Sequence, residues 1–156
     1  MISKKSTILL TGATGFIGAN ILRKLIDLQY TNIHIIIRKQ SNIRRIQDII
    51  QNESIHIYYG DITDKLDIDA IIKNIKPEYI FHLAVWGSKI GRDIMTEEEL
   101  IVNNLLWTKN LLDTCVEVWF KTFINTWSSS EYWEKNISMS EDDRLEPNNI
   151  DRKSVV

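Results

Sequence analysis

The stretch Thr11-Gly12-Ala13-Thr14-Gly15-Phe16-Ile17-Gly18 decides the predicted fold, because it places three glycines between an apolar run and an amphipathic segment. The run Ile8–Leu10 predicts a short strand, and residues 15–27 have the apolar spacing of a helix. A glycine-rich turn between a strand and a helix exposes backbone N–H groups at the helix start, where the helix dipole attracts phosphates. An incidental tight turn is the alternative, but the strand and helix on either side favour a phosphate-binding turn.

Each glycine of this turn has its own predicted role. Gly12 permits a tight bend, and Gly15 lets a pyrophosphate approach the backbone without meeting a Cβ atom. Gly18 allows close packing of the helix on the strand.

The rest of the chain alternates between apolar β-branched runs and segments with helical spacing. Strands are predicted at 8–10, 33–37, 55–59, 79–84 and 121–126, and helices at 15–27, 43–50, 68–75 and 97–117. This alternation predicts an α/β fold with a doubly wound parallel sheet of about five strands. Ligands of such sheets bind beyond the carboxyl ends of the strands, so that edge should carry the site.

Size and composition narrow the function classes. The 156 residues predict one domain, and the formal net charge of −2 argues against a nucleic-acid partner. The single cysteine, Cys115, excludes an internal disulfide and is expected to be a buried structural thiol. No apolar run is long enough to cross a bilayer, and the first one ends too early for a signal peptide. We therefore expect a cytoplasmic protein with no membrane partner and no metal site.

The glycine-x-x-glycine-x-x-glycine spacing resembles the extended branch of the short-chain dehydrogenase/reductase family, which contains the NAD-dependent sugar-nucleotide epimerases and dehydratases. The resemblance covers about Thr7 to Trp133 and includes the Gly60–Asp64 segment, Phe81–Ala84 and a helix containing Asn104. It implies an NAD(P)-binding Rossmann fold over residues 1–133. The cofactor-binding residues that it implies are Gly12, Thr14, Gly15, Phe16, Ile17, Gly18, Arg38, Asp61, Ile62, Leu83, Ala84 and Asn104.

Three of the matched positions leave alternatives open. By resemblance, Asp61 would accept a hydrogen bond from the adenine amino group, although an Asp-capped turn before the next helix fits equally well. A structural role for His82 is favoured over a catalytic one. Trp107 replaces the small residue of the family's helix motif, where it either crowds a neighbour or fills a surface.

Arg38 follows the second strand, where NAD enzymes of this fold carry an acidic residue that binds the adenosine ribose. An arginine there can pair with a 2′-phosphate, so NADP is favoured over NAD. Lys39, Ser41 and Arg44 are possible helpers. The alternative is a solvated basic segment at the start of a helix.

The resemblance implies hydride transfer at a carbinol or carbonyl carbon of a nucleotide-linked sugar, with Ser128 (or Ser129 in a shifted frame) holding the reacting oxygen. The family's Tyr-x-x-x-Lys pair is missing, because no tyrosine of this sequence is followed four residues later by lysine. We therefore expect residues 134–156 to be a polar loop and a truncated C-terminus without a substrate domain. The alternative is a non-catalytic NAD(P)-binding module, so enzymatic activity stays open.

The resemblance also implies a homodimer formed through the long helix 97–117. Without the helix that would cover it, this helix should expose apolar side chains. The candidates are Leu105, Leu106, Leu111, Leu112 and Trp119.

Overall fold

A computed structural model describes residues 2–85 and 101–126, together with the isolated positions 138, 140, 142 and 143. The described strands are β1 (Ile8–Thr11), β2 (Ile33–Ile37), β3 (Ile55–Tyr59), β4 (Tyr79–His82) and β5 (Thr122–Asn125). The helices are α1 (Phe16–Asp27), α2 (Lys65–Ile75) and α3 (Trp107–Val118), and a π-helical segment, Ile101–Leu106, leads directly into α3.

All strand pairs of the sheet are parallel, and the strand order is β3-β2-β1-β4-β5. The chain winds outward from β1 to β3 and then returns to the other side of β1. In the register, Thr11 at the end of β1 lies beside Ile36 of β2 and His82 of β4. The winding direction therefore reverses between β1 and β4, which confirms the predicted doubly wound Rossmann-like sheet.

The core occupies both faces of the sheet because the side chains of β1 alternate between them. Ile8 and Leu10 pack with Leu22 of α1 on one face. Leu9 packs on the other face with Ile72 of α2 and with residues of α3. A central strand that is covered on both faces has to be apolar at every position, as β1 nearly is.

Helix α3 corrects one prediction about the long helix. Leu105, Leu106 and Trp119 are exposed as predicted, but Leu111 is fully buried against the sheet in the same cluster as Cys115. The apolar surface of this helix has two sides, and the sheet covers the one that carries Leu111. Cys115 is the buried thiol that we expected, and burial raises its pKa to about 12.

Residues 43–50 form successive turns rather than the predicted helix. The Arg23 guanidinium binds Asp48 through both carboxylate oxygens and also donates to the Arg45 carbonyl at 2.7 Å. A regular helix would use that carbonyl to accept from the N–H of Ile49, which instead donates to Ile46. The side chain of Arg23 therefore competes for the backbone acceptor that a helix needs.

Helix α2 begins at Lys65, one turn before the predicted start, because the Asp64 carboxylate accepts from the N–H groups of Leu66 and Asp67. Helices α2 and α3 are joined by the Thr114 hydroxyl, which donates to Asp69 at 2.5 Å. None of the helices in the described ranges combines the length and the hydropathy that a bilayer crossing requires.

Candidate dinucleotide-binding site

A cavity of about 230 Å³ opens at the carboxyl ends of the strands, where a doubly wound sheet binds its ligands. Its walls come from the glycine turn, the ends of β2, β3 and β4, and the start of α3. The lining residues are Thr11, Gly12, Thr14, Gly15, Ile36, Ile37, Arg38, Ser41, Gly60, Asp61, Ile62, Leu83, Ala84, Val85 and Trp107. Segments far apart in the sequence therefore meet at one edge of the sheet.

The glycine turn requires glycine at two positions for steric reasons. Gly12 has φ of +68°, and a Cβ atom there would lie 2.6 Å from the Leu83 carbonyl carbon. A Cβ atom on Gly18 would lie 2.2 Å from the Gly12 carbonyl oxygen. The first glycine thus lets β1 and β4 approach each other beyond their ends, and the last brings α1 against the turn itself.

Gly15 has a different role, because it lies in ordinary extended backbone and would suffer only one close contact, 3.2 Å to the Gly12 oxygen. Its N–H donates to that same oxygen at 3.0 Å, and Gly15 itself precedes the first residue of α1. Gly15 also lines the cavity, so its missing side chain leaves the start of the helix open to a ligand.

The N-terminus of α1 has the features of an anion site. In the described part of the chain no side chain caps it, and its first turn contains no acidic residue. The N–H groups of the first helical turn lack partners within the helix, and the helix dipole adds partial positive charge there. A phosphate group fits this end of the cavity in charge and in hydrogen-bonding capacity.

Thr11 and His82 form the buried polar centre beneath the cavity. The Thr11 Oγ1 lies 2.8 Å from His82 Nδ1, and the His82 Nε2 lies 3.0 Å from Thr108 Oγ1. The Thr108 hydroxyl donates to the Asn104 carbonyl at 2.6 Å, which leaves it to accept from the imidazole. His82 is therefore the Nε2–H tautomer, and its Nδ1 accepts from Thr11.

His82 is buried, and desolvation lowers its pKa to about 4. The imidazole is thus neutral at physiological pH, with both ring nitrogens engaged by threonine hydroxyls. These contacts agree with the structural role favoured for His82.

The end of β4 is also fixed by Thr11. The N–H groups of Leu83 and Ala84 donate to the Thr11 hydroxyl oxygen at 3.2 and 3.3 Å. Because these donors turn to a side chain, β4 ends at His82 and not at the predicted residue 84. Leu83 and Ala84 then form one wall of the cavity.

Asp61 and Ile62 form the wall beyond β3. The Asp61 Oδ1 accepts from the N–H of Thr63 at 3.0 Å, which holds the carboxylate at the turn. This contact is the Asp-capped turn considered for Asp61, while the N-cap of α2 itself is Asp64. Asp61 therefore combines a turn contact with a place in the cavity wall.

Arg38 and Ser41 line the cavity beyond β2. The Arg38 N–H donates to the Ser41 Oγ at 3.1 Å, and the Ser41 N–H donates to the Arg38 carbonyl at 2.9 Å. This tight turn holds the Ser41 hydroxyl against the Arg38 backbone, and both residues belong to the cavity wall. Lys39 and Arg44, the other possible helpers, are not among the lining residues.

The remaining predicted site residues lie outside the cavity wall. Phe16 and Ile17 are exposed at the start of α1, and Gly18 is buried against the glycine turn. Asn104 is buried, and its carbonyl accepts from Thr108. Ser128 and its alternative Ser129 lie outside the described residues.

Sequence reasoning missed Thr11, Ile36 and Ile37 as wall residues, and it left the position of Trp107 open; by resemblance, Val85 is expected to line the substrate pocket. The signal for Thr11 was a polar residue at the end of an otherwise apolar central strand, in register with His82. Among the described residues, no group of three or more His, Cys, Asp or Glu side chains could hold a metal ion.

The parallel sheet, the glycine turn and the cavity at the switch point define a Rossmann-like nucleotide-binding domain. The sequence profile of the NAD dependent epimerase/dehydratase family matches residues 8–150. The chain belongs to this family.

Individual relatives agree with the family. The chain is 30% identical over 114 residues to a dTDP-glucose 4,6-dehydratase of Salmonella typhimurium. This alignment covers 72% of this chain and 31% of the relative. A UDP-Glc/GlcNAc 4-epimerase of Campylobacter jejuni has the same fold, with a TM-score of 0.82 at 24% identity over 96% of this chain and 45% of that one. A UDP-glucuronic acid 4-epimerase of Bacillus cereus, solved in complex with NAD, has a TM-score of 0.74 at 27% identity over 92% and 46%. The chain spans about a third of the length of the first curated relatives it matches.

Proposed function

We propose that this chain is the NAD(P)-binding portion of a cytoplasmic sugar-nucleotide epimerase, dehydratase or reductase. The observation that carries the proposal is the local geometry at the start of α1. Among the described residues no side chain caps this helix, and the preceding turn leaves no room for a Cβ atom at Gly12 or Gly18. The turn gives backbone N–H groups to a pyrophosphate, and the walls beyond β2 and β3 receive the adenosine half. Asp61 accepts from the adenine amino group in this proposal.

The cofactor preference that we propose is NADP over NAD. Arg38 and Ser41 supply a cation and a hydroxyl donor at the end of β2, where the adenosine ribose of a Rossmann-type ligand lies. A 2′-phosphate would carry negative charge to this position, and a guanidinium can bind it through two parallel hydrogen bonds. Because the Bacillus cereus epimerase was solved in complex with NAD, the preference of this chain has to be measured directly.

A bound nicotinamide would supply hydride transfer at a carbinol or carbonyl carbon of the sugar. Ser128 hydrogen-bonds the reacting oxygen of that carbon. His82 has no proton-transfer role in this proposal, since both of its ring nitrogens are held by threonine hydroxyls.

A non-catalytic NAD(P)-binding module is the second candidate function, and one feature of the sequence supports it. In the family that this chain resembles, a tyrosine with a lysine four residues later transfers the proton. No tyrosine in these 156 residues is followed four residues later by lysine. Binding and turnover are therefore separate questions for this chain.

Calorimetric titration with NADPH and NADH, followed by turnover assays on dTDP-glucose and UDP-glucose, tests the two candidates. Saturable binding is expected in both cases, with the tighter binding for NADPH. Reduction or oxidation of the cofactor by a sugar nucleotide supports the enzyme, and binding without turnover supports the module. The absence of saturable binding to either dinucleotide contradicts both.

We also propose that the chain forms a homodimer through α3. Val116 near the C-terminal end of this helix and Trp119 just beyond it are exposed at 63% and 68% of their surfaces, and Leu105 is exposed before its N-terminal end. Burial of such an apolar stripe favours association. Sedimentation velocity should show a dimer that V116E weakens, and a wild-type monomer at all concentrations would contradict it.

A further inference from the structure

Trp107 is the cavity residue for which the family resemblance gives no role. It is the first residue of α3, it is half-buried, and it lines the same cavity as Ile62, Ala84 and Val85. It belongs to neither of the two core clusters of the described residues.

The position of Trp107 is fixed relative to the glycine turn. The next residue, Thr108, contacts His82 at 3.0 Å and the Asn104 carbonyl at 2.6 Å. His82 in turn contacts Thr11 at the base of the turn. A continuous chain of hydrogen bonds therefore connects the first turn of α3, where Trp107 lies, to the glycine turn.

The size and lining of the cavity indicate which half of a dinucleotide it holds. A cavity of about 230 Å³ lies below the roughly 300–1,000 Å³ typical of small-molecule sites, so it is expected to take part of a dinucleotide and not the whole. Arg38 and Asp61 line it, and the ends of β2 and β3 are the adenosine side of this fold. The apolar side chains near these polar groups are suited to a planar base.

We propose that the Trp107 indole is the aromatic wall against which the adenine ring binds, and that it makes this chain dependent on a purine base for affinity. The inference rests on the proposed dinucleotide binding and adds a specificity residue to it. Base–aromatic stacking is an attractive contact that any purine can make, while Asp61 distinguishes the amino group of adenine. Loss of the stacking contact should weaken binding of adenine-bearing ligands roughly tenfold.

Calorimetry on the full chain with NADP⁺, ADP-ribose and nicotinamide mononucleotide, which lacks adenine, tests the proposal. The variants are W107A, W107L as an apolar side chain without a ring, and W107F as a smaller ring. W119A is the matched control, because Trp119 lies at the other end of α3 and outside the cavity. Circular dichroism checks that each variant is folded.

W107A and W107L should bind NADP⁺ and ADP-ribose roughly tenfold more weakly than wild type, while W107F stays within about threefold and W119A is unchanged. The weak affinity for nicotinamide mononucleotide should not change. Equal or tighter binding of ADP-ribose by folded W107A or W107L overturns the inference and leaves the proposed function intact. If W107A and W107L fail to fold, W107F decides: binding of ADP-ribose about two- to threefold weaker than in wild type supports the stacking contact, and equal affinity overturns it. Failure of the wild type to bind any adenine dinucleotide overturns both proposals.

Discussion

The Thr11 hydroxyl lies 2.8 Å from the His82 imidazole, although 71 positions separate the two residues in the chain. The contact joins the carboxyl ends of β1 and β4, on either side of the point where the sheet reverses its winding. The same hydroxyl oxygen accepts the N–H groups of Leu83 and Ala84. One side chain therefore ends a strand, orients a histidine and shapes the wall of the cavity.

Replacement of Thr11 by valine should destabilise the protein strongly while keeping its shape. T11V leaves two backbone N–H groups and the His82 Nδ1 without their partner, at a cost of about 2–3 kcal/mol in the free energy of unfolding. T11S keeps the hydroxyl and loses only a methyl group, so it should cost about 1 kcal/mol. Urea denaturation measures both, and equal losses for the two variants would show that the hydroxyl is not the stabilising group.

Stability should fall as the pH is lowered, because His82 is buried in its neutral form. Its folded-state pKa of about 4 lies below the ordinary 6.5, so the unfolded chain binds more protons between these values. The contribution is complete above pH 6.5 and is lost as the pH falls toward 4. Between pH 7 and pH 5 the loss from His82 is about 2 kcal/mol.

The control for this pH dependence is H82N, which removes the titrating group. His34 also has a pKa lowered to about 4, by burial and by the charge of His56, so some dependence remains in the variant. H82N should be less stable than wild type at pH 7, yet lose less stability on transfer to pH 5. Parallel losses in urea denaturation would exclude His82 as a source of the effect.

Alanine substitutions of Gly15 and Gly18, the glycines at the start of α1, should affect ligand binding and stability separately. G18A places a Cβ atom against the Gly12 carbonyl and should lower the free energy of unfolding by about 1–3 kcal/mol. G15A meets one mild contact and should change stability by less than about 1 kcal/mol. It should nevertheless weaken NADPH binding by tenfold or more, because its methyl group stands where a phosphate approaches. A G15A protein with wild-type affinity would mean that the dinucleotide does not cross this backbone.

Arg38 should distinguish the two dinucleotides. R38A removes the cation at the end of β2, so NADP⁺ affinity should fall roughly tenfold to hundredfold while NAD⁺ affinity stays within about twofold. K39A is the matched control, since Lys39 is an adjacent cation that does not line the cavity. Equal weakening of both dinucleotides in calorimetric titrations would assign Arg38 to the base or the ribose instead of a 2′-phosphate.

Much of the fold could be predicted because local pattern and global packing agree in it. The strands β1, β2 and β3 are apolar runs of about the expected length, and the glycine turn in the sequence marks where β1 ends and α1 begins. The doubly wound parallel sheet followed from the alternation of strands and helices. Most of the cavity wall was predicted for the same reason, since residues that follow parallel strands collect at one edge of the sheet.

The differences arise from contacts between distant segments, which periodicity does not record. Apolar spacing at residues 43–50 favoured a helix, but the Arg23 side chain takes the backbone acceptor of Arg45. Leu111 belongs to an apolar stripe that the sequence could not divide into a covered and an exposed side. A polar residue at the end of the apolar run of β1 marks Thr11, but its role depends on partners more than 70 residues away, which no local pattern identifies.

The arrangement of β1 between β2 and β4 also fixes when the glycine turn can take its working shape. During synthesis the whole motif from Thr11 to Gly18 leaves the ribosome long before Leu83 and Ala84 exist. Until those residues arrive, the Thr11 hydroxyl has neither its backbone donors nor its histidine, and Gly12 has no neighbouring strand to approach. We therefore expect that a nascent chain with the complete motif cannot bind the proposed dinucleotide. Binding becomes possible only once the fourth strand has been inserted beside the first.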